Sequence, residues 1–236
     1  MSVSEDRLSR LAVALDTPDR REFSEWCRFF GPRVGVLKVG LEAFIRWGPE
    51  AVREASSHGA GVFLDLKLHD IPNTVAGAVR SARALGVRFL TVHAGGGPAM
   101  LEAAVQACGG ELQILAVTLL THLDEVQLQA LGRTEPPASQ VAALARMAQG
   151  AGCHGVVCSP LEASRLRRDH SAPFLLVTPG IRLEGDSADD QRRIATPASA
   201  LEGGADLLVV GRPLTRAPDR RQALVSFAEA LRRTGD

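Results

Sequence analysis

The segment GVFLDLKLHDIPNT, residues 61–74, opens as an apolar run and then places Asp65, Lys67 and Asp70 within six positions. Alternate residues of a β-strand point to the same side, so Asp65 and Lys67 should project together from the end of one strand. Asp70 follows in a turn that Pro72 helps to end. Burying these charges costs free energy unless they pair or take part in chemistry. Taken alone, the pattern fits a structural ion pair as well as an active site.

Short apolar segments alternate with amphipathic helical patterns on both sides of this stretch. The apolar segments lack a polar face, which is typical of parallel strands covered by helices. Helical spacing of apolar residues is clear at 49–58, 75–85, 100–108, 140–149 and 221–232. The predicted strands are residues 11–16, 35–40, 61–67, 87–94, 114–120, 155–159, 175–180 and 207–212.

Eight β-α units without a Pro/Gly/Ser-rich linker predict an α/β fold, a single (β/α)8 TIM barrel that forms one catalytic domain over residues 1–236. A doubly wound open sheet is the alternative architecture. The long interval at residues 123–139 predicts an extra helix and loop between the fifth and sixth strands.

Composition narrows the class of protein. Lys and Arg together number 27, as do Asp and Glu, so no basic excess indicates a nucleic-acid or membrane surface. The first ten residues contain no apolar signal core, and no apolar run is long enough to span a membrane. Four scattered cysteines and six histidines show no zinc-ligand spacing. We expect reduced thiols, a cytoplasmic location and no metal.

Polar residues recur where the predicted strands end. The carboxyl ends of all strands meet at one mouth of a barrel, where active sites lie. The first strands supply carboxylates and ammonium groups, and the last strands supply glycine and arginine. Gly211 and Arg212 follow the eighth strand, a common place for phosphate binding. The predicted ring includes Asp16, Lys38, Asp65, Lys67, His93, Thr121, Arg182, Gly211 and Arg212.

The polar segment 183–191 also lies near the mouth, and we expect it to act as a lid. Two histidines, His69 and His93, lie near the mouth as well. We expect His93 to support the site rather than act as a base, and His69 to face away. Cys158 lies within a strand and is given no nucleophilic role.

A set of short motifs extends over most of the chain: FLDLKLHDIPNTV, VALD, LKVG, TVHAGGG, LAVTLLT, GVVCS, VTPGIR, DQRRIATPASA and VVGRPLT. Through these motifs the sequence resembles the orotidine 5′-phosphate decarboxylase family in its bacterial form. The family's usual Leu-Thr-Ser is Leu-Thr-His here, at residues 120–122.

The resemblance implies decarboxylation of orotidine 5′-monophosphate to UMP without metal or organic cofactor. Lys67 would donate a proton to C6, and Asp65 would face the substrate carboxylate. Lys38 and Asp16 would contact the ribose, and Thr121 the base. The resemblance also implies a homodimer in which Asp70 and Thr74 reach into the partner's site. The phosphate would be held by Arg182, Gln191, Gly211 and Arg212.

The residues fit such chemistry independently. Loss of CO₂ leaves electron density at C6, which a fixed ammonium group can stabilise and then protonate. Nearby acids favour the charged form of Lys67. One rival is a sister decarboxylase or aldolase whose paired acids hold Mg²⁺, although a lysine between the acids disfavours a metal. The other alternative is a non-catalytic phosphate-binding barrel, which would not need two lysines and three acids at one mouth.

Overall fold

Eight parallel strands form a closed barrel in the computed structural model, which describes residues 8–185 and 194–231. Each strand pairs with the next, and the last closes on the first, with Leu11 opposite Leu208. The strands are β1 Leu11–Ala14, β2 Val36–Gly40, β3 Gly61–Leu68, β4 Phe89–His93, β5 Gln113–Val117, β6 Gly155–Val157, β7 Leu175–Thr178 and β8 Leu207–Val210.

Helices connect the strands around the outside of the barrel, and many begin with proline, whose fixed φ suits the first helical position. A short 3₁₀ turn, Ala94–Gly96, follows β4. The helices are α1 Arg20–Phe30, α2 Leu41–Trp47, α3 Pro49–Ser56, α4 Pro72–Ala84, α5 Pro98–Cys108, α6 Glu125–Ala130, α7 Pro137–Gly150, α8 Pro160–Asp169, α9 Pro197–Glu202, α10 Arg212–Thr215 and α11 Arg220–Ala230.

The strands separate two layers of apolar side chains because alternate residues point to opposite faces. Outward residues such as Leu11, Val13 and Leu64 pack against the helices in the larger core. Inward residues fill the barrel itself, and all are at most 9% exposed: Ala12, Ala14, Val36, Phe63, Phe89, Leu115, Val177, Leu207 and Val209. These side chains fill the barrel beneath its mouth, so a ligand can bind only at the mouth.

The predicted (β/α)8 barrel is confirmed, and the open-sheet alternative is wrong because β1 pairs with β8. All eight predicted strands are present, and the extra helix predicted within residues 123–139 is α6. Five strands end two or three residues earlier than predicted, at residues 14, 117, 157, 178 and 210. The apolar or small residues that follow them belong to loops over the mouth.

No helix within the described ranges is long and apolar enough to cross a membrane.

Candidate active site

A cavity of about 310 Å³ opens at the carboxyl ends of the strands. Its floor is apolar and includes Phe63, Val157 and Val209 from inside the barrel. Its walls carry most of the predicted site residues, from both the first and the last strands. These polar and glycine residues are Asp16, Lys38, Asp65, Lys67, Thr121, Gly180, Arg182, Gly211 and Arg212.

Four charges alternate in sign along the side of the cavity formed by β1, β2 and β3. Lys38 Nζ lies 3.6 Å from Asp16 Oδ2 and 3.3 Å from Asp65 Oδ2. Lys67 Nζ lies 2.9 Å from Asp65 Oδ1 and 2.8 Å from Oδ2. Asp65 and Lys67 therefore project together, as the two-residue spacing predicted. The four formal charges sum to zero, so an incoming anion meets a neutral but strongly polar wall.

Burial and charge act in opposite directions on the two innermost groups. Burial alone would lower the pKa of Lys38, but the carboxylates of Asp16 and Asp65 outweigh it and raise that pKa above 10.5. Burial alone would raise the pKa of Asp65, but Lys38 and then Lys67 outweigh it and hold that pKa below 3.8. Both groups are therefore charged at neutral pH, and the Lys38–Asp65 ion pair persists across the physiological range.

Thr91 on β4 joins the backbone and the side chains of this cluster. Its Oγ1 accepts a hydrogen bond from the Lys67 backbone N–H at 2.9 Å and donates one to Asp65 Oδ1 at 2.9 Å. Lys67 has φ 51°, in the left-handed region, which costs a non-glycine residue on the order of 1–3 kcal/mol. The surrounding contacts must therefore hold Lys67 in this conformation.

Gly40, the last residue of β2, leaves room for the Asp16–Lys38 pair. A Cβ at this position would lie 2.6 Å from Asp16 Oδ1 and 3.2 Å from Lys38 Nζ. Any larger residue would therefore push the carboxylate away. The sequence marks Gly40 only as a strand end, and its role depends on the approach of β1.

The rest of the polar cavity wall comes from the segments after β7 and β8. Arg182 is 6% exposed, and its Nη1 donates to the carbonyl of Ile181 at 3.0 Å. Gly180 has φ 78°, which favours glycine. Gly211 precedes α10, and the nearest described atom to a Cβ there would be Ala14 Cβ, at an ordinary 3.6 Å. Guanidinium groups and glycine residues thus line the same cavity as the ammonium groups.

Asp70 and Thr74 are exposed and do not belong to the described lining of their own cavity. Asp70 Oδ1 accepts the backbone N–H of Ile71 at 2.6 Å, and Thr74 lies in the first turn of α4. Within one chain, the acid against Lys67 is therefore Asp65. Gln191 and most of the predicted lid, residues 186–191, lie outside the described residues.

The histidines near the mouth stack on each other. The rings of His69 and His93 are 5.1 Å apart and inclined by 13°. His93 Nδ1 accepts the backbone N–H of Gly95 at 3.1 Å. Burial, with smaller effects from His69 and nearby cations, lowers the pKa of His93. Neither ring is among the described lining residues.

Sequence reasoning missed Thr91, Gly40 and the apolar lining residues Leu119 and Leu120. The sequence could have identified Thr91, because it lies two residues after Phe89 on β4 and its hydroxyl therefore points to the same face of the strand. Cys158 is fully buried, and burial raises the pKa of its thiol, which suits a packing role. In residues 8–185 and 194–231, no group of three His, Cys, Asp or Glu side chains is placed to hold a metal ion.

Comparisons with known proteins agree with this geometry. The sequence profile described as orotidine 5′-phosphate decarboxylase / HUMPS family matches residues 9–227. The chain is 51% identical over 222 residues to the orotidine 5′-phosphate decarboxylase of Anaeromyxobacter sp. (strain K), covering 94% of this chain and 98% of that protein.

A second relative is the orotidine 5′-phosphate decarboxylase of Thermobifida fusca (strain YX), 51% identical over 228 residues, with 95% and 97% covered. Among solved structures, the orotidine 5′-phosphate decarboxylase from Lactobacillus acidophilus superposes with a TM-score of 0.83 at 36% identity, covering 94% of this chain and 99% of that one. The chain therefore belongs to the orotidine 5′-phosphate decarboxylase / HUMPS family.

Proposed function

We propose that Lys67 is the proton donor of this enzyme, which decarboxylates orotidine 5′-monophosphate to UMP and CO₂ in pyrimidine biosynthesis. The observation that carries the proposal is the Lys67 ammonium group, held by both oxygens of Asp65 at the wall of the cavity. Loss of CO₂ leaves an electron pair at C6. A fixed ammonium group stabilises that charge and then transfers a proton to the carbon, which releases UMP.

Asp65 and Lys38 set the electrostatics of this step. Asp65 would face the substrate carboxylate, and the like-charge contact would be relieved when neutral CO₂ leaves. Lys38 balances Asp65 from the other side and, with Asp16, would bind ribose hydroxyl groups. The support for these roles is the alternating chain of charges, in which each ammonium group already contacts a carboxylate.

The part of the cavity wall that follows β7 and β8 suits the phosphate. Arg212, the backbone around Gly211 and buried Arg182 would hold it together with Gln191, while Thr121 would contact the base. Binding energy from a remote phosphate can align the ring and close the segment at residues 183–191.

A magnesium-dependent sugar phosphate reaction fits this wall less well. Asp65 Oδ1 already accepts from Thr91 and Lys67, and Oδ2 lies against Lys67 and Lys38. A Mg²⁺ ion prefers carboxylate oxygens and is repelled by two ammonium groups beside them. We therefore propose that the reaction needs no metal, and no organic cofactor because the Lys67 ammonium group stabilises the charge that such a cofactor would absorb.

Replacement of Lys67 tests the proton donor. Lys67→Ala should abolish turnover of orotidine 5′-monophosphate, measured by absorbance, while UMP still binds and the protein remains folded. Lys67→Arg is the matched control, because it keeps the positive charge but does not give up a proton. It should stay inactive too. Near-normal turnover by Lys67→Ala would remove Lys67 from the mechanism.

We also propose that the whole chain, residues 1–236, is one catalytic domain that acts in the cytoplasm as a homodimer with shared sites, and that it binds neither nucleic acid nor membranes. Support for sharing comes from Asp70 and Thr74, which are exposed and are not among the described residues that line their own cavity. Between them lies Ile71, an apolar side chain that is 67% exposed. A two-fold interface would bury it and give the same segment to each partner.

Mixed dimers test the shared site. Lys67→Ala and Asp70→Ala homodimers should each be nearly inactive. In a mixed dimer, one site carries both substitutions and the other carries neither. Random exchange of equal amounts leaves about a quarter of all sites intact. Activity should therefore rise toward about a quarter of wild type after the two variants are unfolded and refolded together. If subunits exchange and activity does not rise, Asp70 acts within its own chain.

A further inference from the structure

The pairing between β3 and β4 is interrupted beside the reacting lysine. Leu64 lies opposite Leu90, but the next paired residue of β3 is Leu68, which lies opposite Val92. Four steps along β3 therefore match two steps along β4. The extra two residues preserve the inward and outward alternation, so Asp65 and Lys67 still face the cavity while their backbone bulges away from the ladder.

Within this bulge, the Lys67 N–H has lost its place in the regular ladder. It donates instead to Thr91 Oγ1 at 2.9 Å. Because an N–H can only donate, the hydroxyl oxygen must accept this bond and direct its own hydrogen elsewhere. The hydrogen points to Asp65 Oδ1, also at 2.9 Å. One hydroxyl therefore holds the backbone of Lys67 and the carboxylate that binds the Lys67 ammonium.

We infer that Thr91 is a positioning residue for the decarboxylation, and that its hydroxyl fixes Lys67 relative to Asp65. The inference rests on the proposed role of Lys67 as proton donor. Thr91 has no exposed surface, so water cannot replace its hydroxyl. Lys67 has φ 51°, a conformation that requires restraint by its surroundings. Without the hydroxyl, both the unpaired N–H and the strained φ favour a different path for the bulge, which moves the ammonium group.

Three substitutions separate the hydroxyl from the rest of the side chain. Thr91→Val keeps the shape and removes the hydroxyl, and it should lower kcat at least 100-fold while the Kd for UMP changes less than threefold. Thr91→Ser keeps the hydroxyl and should retain kcat within fivefold of wild type. If Thr91→Val does not fold, Thr91→Cys replaces it, since a thiol is a poor donor and acceptor. The same loss of kcat is expected.

Thr118→Val is the matched control. Thr118 is also fully buried, and its hydroxyl donates to the carbonyl of Val157 on β6 at 2.9 Å. It should lower the melting temperature much as Thr91→Val does but leave kcat within threefold of wild type. If the two valine variants lose kcat equally, the loss reflects general destabilisation and the inference is wrong.

Lys67→Ala, assayed in parallel, separates this inference from the proposed function. If Lys67→Ala retains turnover, the proton-donor role fails whatever the Thr91 variants do. If Lys67→Ala is inactive and folded Thr91→Val, or Thr91→Cys in its place, keeps kcat within threefold, only the role of Thr91 is refuted. An equal loss of kcat in Thr91→Ser and Thr91→Val would also refute it, because the serine retains the hydroxyl.

Discussion

Substitution of Gly40 by alanine should impair substrate binding through the side chain of Asp16. Gly40 has φ −91° and ψ −174°, an extended conformation that alanine adopts without strain. The added Cβ, however, would lie 2.6 Å from Asp16 Oδ1 and 3.2 Å from Lys38 Nζ. Because ordinary contacts begin at 3.4 Å, the carboxylate must retreat by roughly 0.8 Å.

The expected change in KM depends on whether the displaced Asp16 carboxylate can still bind a ribose hydroxyl. Its side chain is 52% exposed, so it can move into solvent, and we expect the free energy of unfolding to fall by less than about 1 kcal/mol. Loss of a hydrogen bond from a ribose hydroxyl to a charged carboxylate costs about 1.5–3 kcal/mol. The KM for orotidine 5′-monophosphate should therefore rise about 10- to 150-fold.

The assay is a double-mutant cycle of Gly40→Ala and Asp16→Ala, with KM and kcat measured by absorbance. If Gly40→Ala acts through Asp16, it should cost little in the Asp16→Ala background, where the obstructing carboxylate is gone. Gly110→Ala is the control, because a Cβ at this exposed position meets nothing within 4 Å. Additive losses in the double variant, or a Gly40→Ala enzyme with unchanged KM, would refute the reasoning.

Three further outcomes test the rest of the site. Arg212→Ala should raise the activation free energy derived from kcat/KM by about 2–4 kcal/mol for orotidine 5′-monophosphate. It should change kcat/KM little for orotidine without the phosphate, and equal losses with both substrates would place Arg212 away from the phosphate. Activity should survive exhaustive EDTA treatment, because two ammonium groups already bind Asp65, and recovery by added Mg²⁺ after a loss would contradict this. Lys38 and Lys67, acting against burial, hold the pKa of Asp65 below 3.8, so its contribution to stability is present above about pH 4 and lost as the pH falls through the folded pKa. Urea unfolding below pH 4 should therefore show a steeper loss for wild type than for Asp65→Asn, and equal slopes would contradict it.

The barrel and most of the polar lining of the cavity could be predicted because they follow from local patterns. Strand and helix periods alternate clearly, and Asp65 and Lys67 are two residues apart on one strand. The strand ends were overestimated where apolar residues continue past the last ladder bond. Leu119 and Leu120 read as a continuation of β5, but they line the cavity. A hydrophobic pattern does not distinguish burial in the core from burial beneath a substrate.

The remaining features depend on contacts between strands. The left-handed φ of Lys67 has no signal in the sequence, because lysine is not a residue that favours this conformation. It arises from the irregular pairing of β3 with β4 and the hydroxyl that Thr91 supplies there. Gly40 is likewise explained only by the position of Asp16 on the neighbouring strand.

Closure of the barrel unites two kinds of chemistry that the sequence keeps far apart. The alternating charges lie at the ends of β1, β2 and β3, and the glycine and arginine residues that suit a phosphate follow β7 and β8. In an open sheet these strands could lie at opposite edges. Because β1 pairs with β8, Asp16 and Lys38 line the same cavity as Gly211 and Arg212. A substrate with a phosphate at one end and a carboxylate on its ring can therefore be held by the arginine side while its reacting carbon meets the lysine side.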